Sequence, residues 1–220
     1  MADAANDFEQ ALLRYLRPEQ LAAVRRFKVG IAGAGGLGSN CAAALVRCGF
    51  RRLKIADFDV VEASNLNRQF FFRHQIGCAK LAALADNLAA INPAVELELL
   101  PGKADAGNVA ALFADCDAVV EAFDRPEYKK LVVEAYLGTG KLLVAASGLA
   151  GWGDSDRIAV RRVRDDFYLV GDLATGIGPD RPPLAPCVAI AAAKQADIVL
   201  AHVLGPMKGV DNNESSSRNG

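Results

Sequence analysis

A glycine-rich turn directly after a short apolar segment is the feature that most constrains this chain. Gly33, Gly35, Gly36 and Gly38 lie within six residues and follow the apolar segment 27–32. A strand that turns through glycines into a helix brings backbone N–H groups close to a phosphate. Because each glycine lowers helix stability by roughly 0.5–1 kcal/mol relative to alanine, four of them exceed what tight packing requires. The turn therefore predicts contact with a phosphate or a nucleotide.

Two polar segments downstream of this turn sharpen the prediction. Asp57 ends the next apolar run, twenty-four residues after Gly33, a spacing that suits a carboxylate accepting hydrogen bonds from a ribose. Asp59 is a further carboxylate, expected to orient the loop. The polar loop 64–69, Ser-Asn-Leu-Asn-Arg-Gln, has no obvious task in a hydride-transfer enzyme. It suits a site that binds a triphosphate.

Several motifs occur here in the order of a known family. They are GAGGLG at 33–38, DFDVVEASNLNRQ at 57–69, GCAK at 77–80, INP at 91–93 and EAFD at 121–124. Together they resemble the ThiF/MoeB/HesA family, relatives of the ubiquitin-activating enzymes, over about residues 17–204. Segments 146–151, 170–172 and 184–186 are most similar to short ThiF-type enzymes of thiamine synthesis. The resemblance implies ATP-dependent adenylation of the C-terminal glycine of a ubiquitin-like sulfur carrier ending in Gly-Gly.

The resemblance also implies roles for single residues. Arg68 would contact the β- and γ-phosphates, Lys80 would neutralise the α-phosphate, and Asp124 would hold Mg²⁺. Arg17 resembles an arginine that reaches into the partner subunit's site of a homodimer, although Arg14 is an alternative for that role. Each of these residues also has an interpretation without a catalytic role. Arg68 is then a surface arginine, Lys80 a solvated helix lysine and Asp124 the N-cap of the next helix.

The remaining nucleotide-binding candidates lie on the glycine turn and on the polar loop. Asn65 and Gln69 can either fix this loop or touch the triphosphate, and the sequence leaves both roles open. Asp57 is expected to bind the ribose, and the four glycines are expected to contact a phosphate or the nucleotide.

Alternation of apolar strands and helices predicts a doubly wound, mostly parallel α/β sheet of the Rossmann-like, ubiquitin-activating-enzyme type. Residues 1–26 are expected to form a helical segment, 27–204 the adenylation domain and 205–220 a disordered tail. The predicted strands are 27–32, 52–56, 95–99, 117–121 and 141–145, with an antiparallel extension at 158–163 and 167–170. The predicted helices are 37–49, 77–90, 107–114, 126–138 and 185–204, with two short helices or a kinked one at 8–26. A loop at 172–183 precedes the last helix.

Composition excludes several classes of protein. The formal net charge of −1 provides little electrostatic attraction to nucleic acid or to a membrane surface. No signal peptide is visible, and segment 185–204 carries polar residues, so a cytoplasmic protein is expected. The five cysteines form no Cys-x-x-Cys pair, which argues against disulfides and zinc. Cys187 follows Pro186 at a predicted helix start, where a sulfur-transfer role competes with a plain packing role.

Three rival functions are weighed against adenylation. A nicotinamide-dependent oxidoreductase would use the glycine turn but leaves Arg68, Lys80 and Asp124 without a task. A non-catalytic partner of an activating subunit would not need these phosphate-facing residues. A related branch dehydrates a modified adenosine on tRNA, but its members are expected to be longer, and the near-neutral charge gives little for RNA.

Overall fold

Seven strands form one sheet in the order β3-β2-β1-β4-β5-β7-β6. The computed structural model describes residues 6–205, so the predicted disordered tail lies outside the described residues from position 206 onward. The strands are β1 (Lys28–Ala32), β2 (Arg52–Asp57), β3 (Glu96–Pro101), β4 (Ala118–Glu121), β5 (Leu142–Ala146), β6 (Ala159–Arg164) and β7 (Phe167–Gly171). Each lies within two residues of its predicted position.

Helices cover both faces of this sheet. They are α1 (Asp7–Leu12), α2 (Pro18–Arg26), α3 (Gly36–Arg47), α4 (Lys80–Ala89), α5 (Val109–Leu112), α6 (Pro126–Tyr136) and α7 (Ala185–Leu204). Alternate strand residues point to opposite faces. Ile31 and Val120 therefore belong to the core formed with α3, α4 and α7, whereas Ala32 and Val119 belong to the core formed with α5 and α6.

The strand pairing confirms the predicted fold class. Strands β1 to β5 are all parallel, and β7 continues the sheet in parallel with β5. Only β6 runs antiparallel, as the partner of β7 at the edge, which is the predicted C-terminal extension. Since β1 lies between β2 and β4, the chain reverses its winding direction there, and ligands of such sheets bind outside the carboxyl ends at this point.

The N-terminal helices are tied to the domain by a buried ion pair. Pro18 begins α2, so the predicted interruption separates two short helices. On α1, the buried carboxylate of Glu9 accepts hydrogen bonds from Arg51 and Asn92. Burial raises the pKa of Glu9, but these hydrogen bonds outweigh burial and hold the pKa below its usual value.

Helix α7 is long and apolar enough to cross a membrane by length and composition. It packs instead against α3 and β5, with Cys187, Ala191 and Val199 buried in the core. Core helices of soluble domains share this composition, so its apolar character is explained by burial within the fold.

Candidate active site

A cavity of about 630 Å³ opens at the carboxyl ends of β1, β2, β4 and β5. Nine residues proposed from the sequence line it: Gly33, Gly35, Gly36, Asp57, Asp59, Arg68, Gln69, Lys80 and Asp124. These residues come from five separate segments of the chain. The carboxyl ends of β1, β2 and β4 bring Gly33, Asp57 and Asp124 to the same edge of the sheet. The loop after β2 and the start of α4 add Arg68 and Lys80 to the lining.

The glycine turn is held open toward the cavity by its backbone geometry. Gly33 has a φ of 111°, a conformation that side chains with a Cβ rarely adopt. Gly38 does not line the cavity. A Cβ on Gly38 would lie 1.8 Å from the carbonyl oxygen of Gly33, so this glycine allows α3 to pack against the turn. The four glycines therefore divide into three that face the cavity and one that serves packing.

Asp57 connects the end of β2 to the glycine turn. Its Oδ2 accepts a hydrogen bond of 2.6 Å from the N–H of Ala34, and its Oδ1 accepts one of 2.8 Å from the N–H of Asp59. Carboxylate oxygens have about four acceptor positions in total. The side chain can therefore hold the turn and still accept a ribose hydroxyl.

Asp59 positions the lysine that begins α4. Lys80 Nζ lies 2.9 Å from Asp59 Oδ2, and the Lys80 N–H donates to the Asp59 carbonyl at 2.9 Å. The lysine side chain is only 7% exposed, whereas that of Asp59 is 51% exposed. The ammonium group is thus fixed at the cavity by a partner that water still reaches.

The loop that carries Arg68 is anchored on α3. Asn40 Nδ2 donates to the Arg68 carbonyl at 2.8 Å, and Ser39 Oγ accepts from the Phe70 N–H at 2.9 Å. The guanidinium of Arg68 donates to the Ser64 carbonyl and to Asn67 Oδ1. Within residues 6–205 it contacts no carboxylate, so its charge is available to an anion.

Asn65 and Gln69 differ in their positions. Asn65 is buried away from the cavity lining, and its Oδ1 accepts from the Glu62 N–H at 3.1 Å. Its carbonyl also accepts from the N–H groups of Arg68 and Gln69, so it shapes the loop. Gln69 lines the cavity, and its buried Oε1 has no hydrogen-bond partner in the described part of the chain.

At the end of β4, a buried carboxylate organises the segment that leads to Asp124. Glu121 Oε1 accepts from the Phe123 N–H at 2.8 Å, and Lys129 Nζ lies 3.0 Å from Glu121 Oε2. Burial raises the pKa of Glu121 despite the neighbouring Lys129. Lys129 also donates to the Ala146 carbonyl at 3.1 Å, which joins the ends of β4 and β5 beneath the cavity.

Asp124 itself is exposed at the cavity. The residue at the N-cap of α6 is Arg125, so the N-cap reading of Asp124 is wrong. Across residues 6–205, no hydrogen bond or ion pair engages its carboxylate, and no group of three or more His, Cys, Asp or Glu side chains forms a ready-made metal site. Mg²⁺ is commonly held by one or two carboxylates together with substrate phosphates. A carboxylate without a partner in the described residues, beside a cavity large enough for a nucleotide, fits that donor set.

Arg17 and Cys187 lie away from the cavity lining. Arg17 is exposed at the start of α2, with its Nε 2.6 Å from Glu19 Oε1, and its role toward a partner subunit stays a prediction. Arg14 is likewise exposed. Cys187 is 1% exposed, so its sulfur is closed to a protein-sized reactant in this conformation.

Sequence reasoning missed several residues that build the site. Lys129 lies on the first turn of α6, five residues after Asp124. This short spacing is the feature of the sequence that could have indicated a position close to the site. Thr175 and Ile177 on loop 172–183 line the cavity. Ser39 and Asn40 form the anchor described above. Their function depends on contacts between distant segments, which spacing along the chain does not reveal.

The profile of the ThiF family matches residues 9–216 of this sequence. The chain belongs to the ThiF family. The match covers nearly the whole length and includes every segment that lines the cavity.

Among curated proteins, this ThiF-family chain is similar to the adenylyltransferase and sulfurtransferase UBA4 of Candida glabrata. The two are 29% identical over 198 residues, covering 87% of this chain and 45% of the relative. It is also 49% identical over 75 residues to ubiquitin-like modifier-activating enzyme 5 of Arabidopsis thaliana, covering 34% of this chain and 17% of the relative. The chain thus spans less than half the length of these relatives.

Solved structures share the fold at low sequence identity. The Escherichia coli tRNA N6-threonylcarbamoyladenosine dehydratase TcdA in complex with AMP has a TM-score of 0.82 at 20% identity, covering 93% of this chain and 98% of that one. E. coli MccB with ATP has a TM-score of 0.68 at 20% identity, with coverage of 90% and 64%. The length difference expected from the tRNA-acting branch is not seen in this solved chain, of which the alignment covers 98%.

Proposed function

We propose that this protein is an ATP-dependent adenylyltransferase that activates the C-terminal glycine carboxylate of a ubiquitin-like protein as an acyl-adenylate and releases pyrophosphate. The more specific substrate in this proposal is a ThiS-like sulfur carrier ending in Gly-Gly. The supporting observation is that one cavity is lined by Arg68, which has no carboxylate partner among residues 6–205, and by Asp124, which has no cation partner among the same residues. A triphosphate with its cation complements both groups.

The chemistry requires two anions to meet. A carboxylate oxygen of the substrate attacks the α-phosphorus of ATP, the bond from that phosphorus to the bridging oxygen breaks, and pyrophosphate leaves. The attacking group is already ionised at neutral pH, so no general base is needed. The main demand on the protein is therefore charge stabilisation by fixed donors.

Several of the cavity residues have distinct tasks in this reaction. The planar guanidinium of Arg68 binds the β- and γ-phosphates through paired donors. Lys80, held by Asp59, offsets charge at the α-phosphate, and the N–H groups of the glycine turn contact phosphate oxygens. Asp124 would hold Mg²⁺, which when bound neutralises charge on the leaving pyrophosphate.

The tail of the carrier protein is proposed to pass under loop 172–183. This loop closes over the cavity through the Gly151 N–H, which donates to the Pro182 carbonyl at 3.0 Å. Asn67 Nδ2 also donates to the Pro183 carbonyl at 3.1 Å. The loop therefore forms a cover under which an extended Gly-Gly segment reaches the α-phosphate.

We also propose the assembly, sulfur source, location and metal content that accompany this activity. They comprise a homodimer with Arg17 reaching the partner's site, a separate protein that delivers sulfur, a cytoplasmic location, a role in thiamine synthesis and the absence of zinc. These features follow the resemblance and the cysteine pattern of the sequence.

Carrier-dependent exchange between ATP and radiolabelled pyrophosphate tests the function directly. We expect exchange only when a ThiS-like carrier ending in Gly-Gly is present, and none with the same carrier lacking its last two glycines. Purified tRNA and NAD serve as comparison ligands in activity and calorimetric assays. Turnover of tRNA or binding of NAD without carrier-dependent exchange would replace this proposal.

A further inference from the structure

A second cavity of about 300 Å³ adjoins the nucleotide cavity. Ala150 and Thr175 line both cavities and therefore mark their junction. The remaining lining residues of the second cavity are Gly151, Trp152, Arg157, Asp180 and Arg181. Trp152 is 64% exposed there, so this cavity has an aromatic face open to solvent.

One arginine contacts both residues of the junction. Arg157 Nη2 donates to the Ala150 carbonyl at 2.6 Å, and Nη1 donates to Thr175 Oγ1 at 3.1 Å. Nη2 also lies 3.7 Å from Cys187 Sγ at the start of α7. A single planar guanidinium thus fixes the distance between the two walls of the junction.

Asp172 completes this arrangement at the end of β7. Its carboxylate forms an ion pair with Arg157 and accepts hydrogen bonds of 2.8 Å from the N–H groups of Ala174 and Thr175 and from the Thr175 hydroxyl. Although burial opposes it, this set of donors lowers the pKa of Asp172 to about 2. The charge of Arg157 is therefore balanced inside the protein, and its task is positional.

We propose that Arg157 is a positioning residue that sets the width of the junction between the two cavities and thereby the affinity for the tail of the protein substrate. The second cavity is the outer part of the path that the tail follows to the α-phosphate. This inference rests on the proposed function. It adds a residue that determines how well the tail binds without touching the nucleotide.

The test measures carrier and ATP dependence separately in Arg157→Met and Arg157→Lys. We expect the KM for a ThiS-like carrier to rise about 10- to 100-fold in Arg157→Met, the range for lost hydrogen bonds of a charged group. The KM for ATP and the calorimetric affinity for AMP without carrier stay within about twofold, which is far below that range. Arg157→Lys keeps the charge beside Asp172 but lacks the planar guanidinium. Its KM for carrier is therefore expected to lie between those of the wild type and Arg157→Met.

Two further variants keep the test decisive. Thr175→Val removes the hydroxyl that accepts from Arg157 and donates to Asp172, while Asp172 keeps its ion pair with Arg157. This variant is also expected to raise the carrier KM, and it tests the proposal even if Arg157→Met fails to fold. Arg161→Met is the matched control. Its guanidinium also donates to a main-chain carbonyl, that of Gly171 at 2.6 Å, yet it lines neither cavity, so both KM values are expected to match the wild type.

Different failures have different meanings. An unchanged carrier KM in all junction variants, with normal exchange by the wild type, would overturn the role of Arg157 and leave the proposed function intact. An equal loss of affinity for carrier and nucleotide would reduce Arg157 to a purely structural role. Absence of carrier-dependent exchange in the wild type would overturn the proposed function and this inference with it.

Discussion

Two groups of charged residues lie at opposite ends of the same sheet, and they differ in whether their charges are paired inside the protein. The amino-end cluster consists of Lys28 at the start of β1, Asp115 shortly before β4, and Lys54 and Glu98 in the first halves of β2 and β3. Lys28 contacts both carboxylates, and Lys54 Nζ lies 3.3 Å from Glu98 and 2.9 Å from Asp115. Every charge in this cluster has partners of opposite sign within the protein.

The cavity at the carboxyl ends is only partly balanced in this way. Lys80 pairs with Asp59 and Lys129 with Glu121, but within residues 6–205 Arg68 contacts no carboxylate and Asp124 contacts no cation. Removing one partner of an ion pair whose other member is buried destabilises the fold because it leaves an unpaired charge, whereas charges left unpaired at a cavity favour a charged ligand. The same residue types therefore serve the fold at one end and a ligand site at the other.

The largest loss of activity is expected at Asp124. Asp124→Ala should reduce pyrophosphate exchange by roughly a thousandfold or more, because a lost metal ligand removes several kcal/mol of charge stabilisation. The fold should be intact by circular dichroism, since the carboxylate contacts no described group. Asp115→Ala is the control and should lower stability while exchange continues. Normal exchange in Asp124→Ala would remove this residue from the mechanism.

The next effect concerns the cations of the cavity. Arg68→Ala and Lys80→Ala should each slow turnover by roughly 10²–10³, the loss typical of one charge-stabilising donor. Arg68→Lys should restore only part of the rate because an ammonium cannot bind two oxygens in one plane. Lys54→Ala, in the amino-end cluster, should affect the melting temperature rather than turnover. Equal turnover losses in all three alanine variants would erase the distinction between the two ends.

The glycine turn also contains residues that serve the fold and residues that serve the ligand site, and here no charges are involved. Gly38→Ala places a Cβ 1.8 Å from a carbonyl oxygen and should lower the free energy of unfolding by about 3 kcal/mol. The Cβ in Gly35→Ala would meet Gln69 Nε2 at 3.9 Å, so stability should change by less than about 0.5 kcal/mol while ATP affinity falls. Denaturant unfolding and calorimetry with ATP measure the two quantities. Loss of ATP affinity with full stability in Gly38→Ala would contradict the division.

The amino-end cluster should also produce a pH dependence of stability. Hydrogen bonds from Lys28 and Lys54 lower the pKa of Asp115, and the bond from Lys28 outweighs burial to lower that of Glu98. Carboxylates with lowered folded-state pKa values stabilise the fold above their unfolded pKa values, and this contribution is lost as pH falls through the folded values. Thermal unfolding should thus show a decline below about pH 4 that is smaller in Lys28→Met. An identical acid decline in that variant would assign the effect to other groups.

The smallest effect is expected at Cys187. Cys187→Ser should retain pyrophosphate exchange within about twofold of the wild type, well below the loss of one stabilising donor, because the buried sulfur lies outside the cavity lining. Mass spectrometry after incubation with carrier and ATP should find free carrier adenylate. A carrier covalently joined to the protein, and absent in Cys187→Ser, would make this cysteine a reacting residue.

Much of the fold and of the candidate site could be predicted because the signals are local. The glycine turn, the acidic residue at the end of β2 and the rhythm of apolar strands all lie within short windows. Parallel strands end at one edge, so residues at those ends converge without further information. This explains why Gly33, Asp57 and Asp124, which lie at or just after the ends of β1, β2 and β4, line one cavity.

The tertiary structure decided which of these residues face a ligand and which hold the frame. Gly38 and Asn65 stand within binding motifs, yet their neighbours give them packing and loop-shaping roles. The ion pair of Lys28 and Asp115 joins residues 87 positions apart, and the pair of Arg157 and Asp172 joins β7 to the segment before β6. The sequence determines the periodicity and turn chemistry of each segment, because these depend on neighbouring residues. Only the folded chain determines which distant charges meet, because their pairing depends on how whole elements pack.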